Sequence, residues 1–223
     1  MMFPGRLLFL LVALPLGAAV IIPSSEGQVT TPSPDEAGVI LFFGDSLTAG
    51  YQLNPSQAFP ALIQKKIDAE GWDYQAVNAG LSGETSADGV QRISWVMRQK
   101  VDVLVLELGA NDALRGIHLD ATEGNLQSII DRVRRANPDM RLVVAGMMMP
   151  PNLGPDYVKR FQSMFVDLAE RNEGALIPFL LEGVAGISSL NLPDGIHPTA
   201  EGHKLLAENV WKILKPVLVE DLR

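Results

Sequence analysis

The 223-residue chain has no cysteine. Disulfides, thiolate metal sites and a lipid-modified cysteine are therefore excluded, and an exported form would have to hold its fold by packing alone. Histidine is almost as scarce, with three residues, so any imidazole chemistry rests on His118, His197 or His203. Positive charge is in deficit: 18 Lys and Arg stand against 26 Asp and Glu, a formal net charge of −8. Phosphate-backbone binding needs clustered Lys and Arg, so no nucleic-acid partner is expected. Several catalytic signatures are also missing. There is no G-x-S-x-G, so a nucleophile elbow of the α/β-hydrolase type is unsupported, and no P-loop, G-x-G-x-x-G or H-E-x-x-H occurs. No internal repeat and no second composition regime point to more than one domain.

Residues 1–22 read as a targeting segment rather than as part of the fold. Arg6 supplies a positive flank, residues 7–16 an apolar core, and Gly17-Ala18-Ala19 the small residues that signal peptidases accept. Export to the periplasm or the medium is the expected consequence. The apolar run continues to Ile22, so the alternative is a short membrane tether over 7–22, although Pro15 and the length disfavour a stable span. Residues 23–38, rich in Ser, Thr, Pro and acids, read as a linker. The domain itself is expected over 39–218.

From Val39 onward, short apolar runs alternate with amphipathic stretches. Strands are expected at 39–43, 74–78, 101–108, 141–147 and 176–180, and helices at 56–70, 86–99, 122–136, 155–171 and 198–214. Such alternation implies a parallel sheet of five strands with helices on both faces, the three-layer α/β/α plan.

The segments after the strands carry the chemistry. Ser46 comes directly after the first strand in Gly44-Asp45-Ser46-Leu47, Gly83 comes after the second, and Gly109-Ala-Asn111-Asp112 after the third. Asp194-Gly-Ile-His197-Pro lies near the C-terminus. In a parallel sheet these segments share one edge, where open α/β folds place their sites. A serine nucleophile needs a base within hydrogen-bond reach, and that base needs a partner to fix its tautomer. His197 lies in a loop with an acid three residues before it, Asp194, and Gly195 between them permits a tight turn. His203, inside the last helix, and His118, among loop residues, are expected to be packed or solvated. For a developing oxyanion the Ser46 and Gly83 N–H groups and the Asn111 side-chain amide are the candidate donors. Asp45, beside the nucleophile, is expected to brace its turn. Asp194, His197, Glu201 and His203 form the one cluster of metal-ligand types, but Glu201 and His203 should turn away along the helix. No metal or cofactor is expected.

Taken together, Gly44-Asp45-Ser46-Leu47, Gly83, Gly109-Ala-Asn111-Asp112 and Asp194-Gly-Ile-His197-Pro resemble, in order, the four blocks of the GDSL or SGNH hydrolase superfamily. The longer runs 44–51, 78–86 and 107–116 are similar to its branch of thioesterases, lysophospholipases and arylesterases. The resemblance implies a flavodoxin-like α/β/α sandwich and a hydrolase of carboxylic esters and thioesters. Ser46 would be nucleophile, His197 base, Asp194 its orienting acid, and Ser46, Gly83 and Asn111 the oxyanion hole. It further implies an acyl groove bordered by 112–118, with Leu114, Met149 and Pro150 as wall residues beside Met147 and Met148, two of the three methionines belonging to the core. The implied partner is a small acyl ester or thioester, with membrane contact only through an uncleaved N-terminus, and a monomer is expected. Two alternatives stay open: a carbohydrate O-acetyl esterase of the same superfamily, and a flavodoxin-like binding protein that keeps the architecture without turnover.

Overall fold

A computed structural model describes residues 37–221. The expected targeting segment lies outside the described residues, as does the expected linker as far as residue 36. Residue 38, the last of that linker, is the first of strand β1 (Gly38–Gly44). Four further strands complete the set: β2 (Tyr74–Gly80), β3 (Val103–Glu107), β4 (Arg141–Ala145) and β5 (Ala175–Ile177). They form one all-parallel sheet in the order β2-β1-β3-β4-β5. Apart from their first residues, β1 and β4 are buried throughout, and β3 is buried along its whole length, as strands covered on both faces must be.

Helices α2 (Phe59–Glu70) and α7 (Ala200–Asp221) pack together on one face. Helices α3 (Ser86–Val96), α5 (Leu119–Ala136) and α6 (Pro155–Arg171) cover the other. The three layers and five strands expected from the alternation are therefore present.

Element ends differ from the sequence expectation for local reasons. Residues 55–57 form a separate 3₁₀ turn, and α2 begins after it with Pro60 at its second position, where a missing N–H costs nothing. The third strand starts late because the Val101 N–H is taken by the Asn137 side chain (2.9 Å). The fifth stops at Ile177 because Pro178 comes next. The last helix runs on through Pro216 to Asp221, held by Leu214 and Leu218, both fully buried on either side of the proline.

Two one-turn helices were not expected: α1 (Ser46–Ala49) and α4 (Ala110–Leu114). Both start at the carboxyl edge of the sheet, directly after β1 and β3. Register explains how they meet. Gly44 aligns with Gly80 on one side and with Glu107 on the other, so the segments after β1, β2 and β3 leave the sheet at one level. A β-carbon on Gly80 would stand 2.2 Å from the Ala49 nitrogen, and one on Gly44 would stand 2.1 Å from the Thr48 hydroxyl. The two glycines let α1 rest directly on the strand ends. The chain leaves β1 toward β2 and returns to β3 on the far side, which makes this edge the topological switch point of the sheet.

Candidate active site

Asp45 starts the site. Its Oδ1 accepts the Leu47 N–H (3.0 Å), capping α1 and placing Ser46 at the first helical position. The Ser46 side chain stands at the rim of the edge and meets His197 Nε2 at 2.9 Å. His197 Nδ1 lies 2.8 Å from Asp194 Oδ2. A carboxylate can only accept, so Nδ1 carries the proton and Nε2 is left as acceptor for the serine hydroxyl.

The Asp194 turn is short and closed. Asp194 Oδ1 accepts the N–H groups of Ile196 (2.9 Å) and His197 (3.0 Å), Gly195 takes a positive φ of 70°, and the Leu192 N–H donates to the His197 carbonyl (2.7 Å). Bonds from the His197 N–H, the His197 ring and the Ile196 N–H hold the Asp194 carboxyl down at about 2. It is therefore ionised throughout the pH range in which an imidazole could act as base. The Tyr51 ring lies against the imidazole, with centroids 4.4 Å apart and planes tilted by 38°.

Asn111, in the first turn of α4, reaches the same place. Its Nδ2 donates to Asp45 Oδ2 (3.0 Å) and to the Glu84 carbonyl (3.2 Å). The neighbouring Asp112, fully buried, anchors that turn by accepting the N–H and hydroxyl of Ser86 and the hydroxyl of Thr122. Gly83 sits in the turn after β2 at φ 80°, its carbonyl accepting from Arg115 (2.8 Å). Glu84, next to it, is buried and clamped by Arg92 at 2.5 Å, and Arg92 also holds the Ala79 carbonyl and lies over the Phe43 ring.

The other sequence candidates separate. Leu114 and Pro150 are exposed at this edge, whereas Met147 and Met149 belong to the core and Met148 is the exposed methionine. Among the described residues no three His, Cys, Asp or Glu side chains are placed to hold a metal. His118 is exposed beside Asp120 (3.6 Å). His203 is buried behind Phe59, whose N–H it accepts through Nδ1 (3.1 Å). Sequence reasoning did not find Tyr51, Thr48 or Glu107; Glu107 reads as an ordinary strand end until the sheet register places it beside the nucleophile turn.

The buried His203 has a consequence for acid stability. Burial, and secondarily the positive charge His197 can carry, push its ring down to about 4. An unfolded chain takes up that proton near 6.5, so the contribution is present above pH 6.5 and is lost as the pH falls toward 4. About 3 kcal/mol of stability should disappear across that window. Urea denaturation of wild type and His203→Gln at pH 7 and pH 4.5 measures it, and the substitution should flatten the difference.

Residues 42–205 match the GDSL-like lipase/acylhydrolase family. Esterase TesA of Pseudomonas aeruginosa is 40% identical over 201 residues, covering 90% of this chain and 99% of its own. Thioesterase 1/protease 1/lysophospholipase L1 of Escherichia coli K12 is 35% identical over 186 residues, covering 83% of this chain and 87% of its own. A crystal structure of TesA superposes with a TM-score of 0.76 at 40% identity over 80% of this chain and 98% of that one. With this coverage, and with the four sequence blocks gathered at one edge of the parallel sheet, the chain belongs to the GDSL-like lipase/acylhydrolase family.

Proposed function

We propose that the protein is a serine esterase and thioesterase working through an acyl-enzyme, with Ser46 as nucleophile, His197 as general base and Asp194 as its orienting acid. The observation that carries this reading is the continuous chain from Ser46 Oγ through His197 to Asp194, at 2.9 and 2.8 Å. Attack by Oγ on the carbonyl transfers the serine proton to Nε2, and Asp194 stabilises the imidazolium that forms. The imidazolium then protonates the leaving alcohol or thiol. Water enters, gives its proton to Nε2, and releases the acid from the serine. The Ser46 and Gly83 N–H groups and the Asn111 amide act as donors to the oxyanion in both halves of the reaction.

The acyl partner is apolar. Tyr51, Leu81, Leu114, Met148, Leu153 and Ile196 are all exposed, and all lie on segments that come after strands or flank the site at the carboxyl edge. Apolar side chains exposed on the segments that carry the site favour a hydrocarbon acyl group over a sugar ring. Residues 1–22 carry the pattern of an export signal, and an exported, monomeric enzyme is the reading that goes with it. Hydrolysis of p-nitrophenyl butyrate and butyryl-CoA by the purified protein tests the reaction class; turnover of neither would overturn it.

Tyr51 makes a smaller, separate prediction. Its ring lies against His197 and restricts the imidazole by a contact worth about 0.5–1.5 kcal/mol. Tyr51→Ala should lower kcat by roughly three- to tenfold, and Tyr51→Phe, which keeps the ring, should lose less. Steady-state kinetics on p-nitrophenyl butyrate separates the two.

A further inference from the structure

Two acids lie buried beneath the nucleophile: Asp45 is 1% exposed and Glu107 is 0% exposed. Asp45 donates its backbone N–H to Glu107 Oε2 (3.2 Å), and Thr48 donates its hydroxyl to the same oxygen (2.8 Å). Among the described residues no Lys or Arg forms an ion pair with either acid. Two adjacent carboxylates cannot both stay ionised in so dry a place. Burial first, and the charge of Asp45 second, push the Glu107 carboxyl well above the usual range. Burial also raises Asp45, but the Leu47 N–H, Glu107, His197 and Asn111 all favour its charged form and hold it to about 6. Near neutral pH Glu107 therefore keeps the proton and Asp45 the charge. The protonated Glu107 carboxyl is itself a hydrogen-bond partner of the Asp45 side chain, which is how it helps to keep Asp45 charged.

The ionised Asp45 has two oxygens and two uses. Oδ1 takes the Leu47 N–H, and Oδ2 takes Asn111 Nδ2. A side-chain amide can turn over and exchange its donor for its acceptor. If Asn111 did so, its carbonyl oxygen would face both the Asp45 carboxylate and the Glu84 carbonyl, three acceptors with no hydrogen among them. Only the orientation with nitrogen toward the nucleophile turn satisfies both neighbours. The same orientation is the one an oxyanion requires: with one Nδ2 hydrogen kept on Asp45, the other leaves its longer bond to the Glu84 carbonyl to meet the oxyanion, which a reversed amide would repel.

We propose that Asp45 is a positioning residue of this active site: its Oδ2 fixes the Asn111 amide with the donor toward the oxyanion, and Glu107, protonated beneath it, keeps the buried pair at a single negative charge. The proposal rests on the reading of Asn111 as an oxyanion donor. It gives the acid next to the nucleophile a role beyond capping α1.

The test is a double-mutant cycle on the full chain, with kcat and KM for p-nitrophenyl butyrate and circular dichroism as the check on folding. Asp45→Asn keeps volume and an oxygen for the Leu47 N–H but sets an NH₂ against the Asn111 amide. Asp45→Ser keeps a cap but cannot reach Asn111, and it serves if the first variant folds poorly. Each should lower kcat by on the order of 10- to 100-fold, within the range for loss of one oxyanion donor, with KM little changed. In an Asn111→Ala background the same substitutions should cost less than about threefold. Equal losses in both backgrounds would overturn the positioning role while leaving the oxyanion reading intact. If Asn111→Ala alone changed kcat by less than about threefold, the oxyanion reading itself would fall, and the proposal with it. The proton on Glu107 is read separately by infrared difference spectroscopy at pH 7.5. A protonated-carboxyl band should be present in wild type and absent in Glu107→Gln, and identical spectra would overturn the one-proton pair.

Discussion

Ser46→Ala should lower kcat by on the order of 10⁶-fold, to the residual rate that binding and the oxyanion donors supply without a nucleophile. The size of the loss comes from the role. Without Oγ there is no covalent intermediate, and His197 has no hydroxyl proton to accept. The fold should not suffer, because among the described residues the hydroxyl's one side-chain partner is the His197 ring, and the cap on α1 comes from Asp45. The alanine variant should therefore unfold at the same urea concentration as wild type while losing turnover of every ester and thioester the wild type cleaves. Turnover within tenfold of wild type would remove Ser46 from the mechanism.

Asp194→Asn should cost roughly 10³- to 10⁴-fold in kcat. The geometry of the turn makes the effect specific. The asparagine oxygen can take over the bonds from Ile196 and His197 N–H, so the loop should keep its shape. The NH₂ then faces Nδ1 and selects the tautomer with the proton on Nε2, the nitrogen that meets Ser46. A protonated Nε2 donates to the serine and cannot act as its base. KM should change little, because Asp194 acts on substrate only through the ring. A loss below about tenfold would show that the orienting acid lies elsewhere.

The central layers of this fold were legible because burial on both faces leaves an unambiguous record. Apart from the glycines at the ends of β1, Glu107 at the end of β3 and Arg141 at the start of β4, strands β1, β3 and β4 are runs of Val, Leu, Ile, Ala and Phe. The edges were harder. Strand β2 buries only Tyr74 and leaves its other residues partly or fully exposed, and β5 has three residues before a proline. The one-turn helices α1 and α4 escaped periodicity altogether, since a single turn has no period to detect. Their start signals were local ones: the Asp45 side chain capping two residues on, and Gly109 at φ 115°.

Ser46, Asp194 and His197, read as a nucleophile, acid and base from residue type and position, are within hydrogen-bond distance of one another in the order that reading requires. The expectation for Asp45 covered only half of what it touches. A cap is a contact between near neighbours and can be inferred from the chain, whereas Asn111 and Glu107 are 66 and 62 residues away and reach Asp45 only through the sheet register. The same limit applies to Met149. Whether a methionine after a strand faces a groove or the core depends on the helix packed over it, and here Met149 is 8% exposed.

A covalent acyl-enzyme on Ser46 is the step on which the whole mechanism stands. Protein mixed with p-nitrophenyl butyrate can be quenched in acid during turnover and digested, and the peptides mapped by mass spectrometry. A butyryl group on the peptide spanning residue 46, localised to the serine and absent from Ser46→Ala, is the predicted result. Steady turnover with no adduct on that peptide, or an adduct carried by another residue, would contradict it.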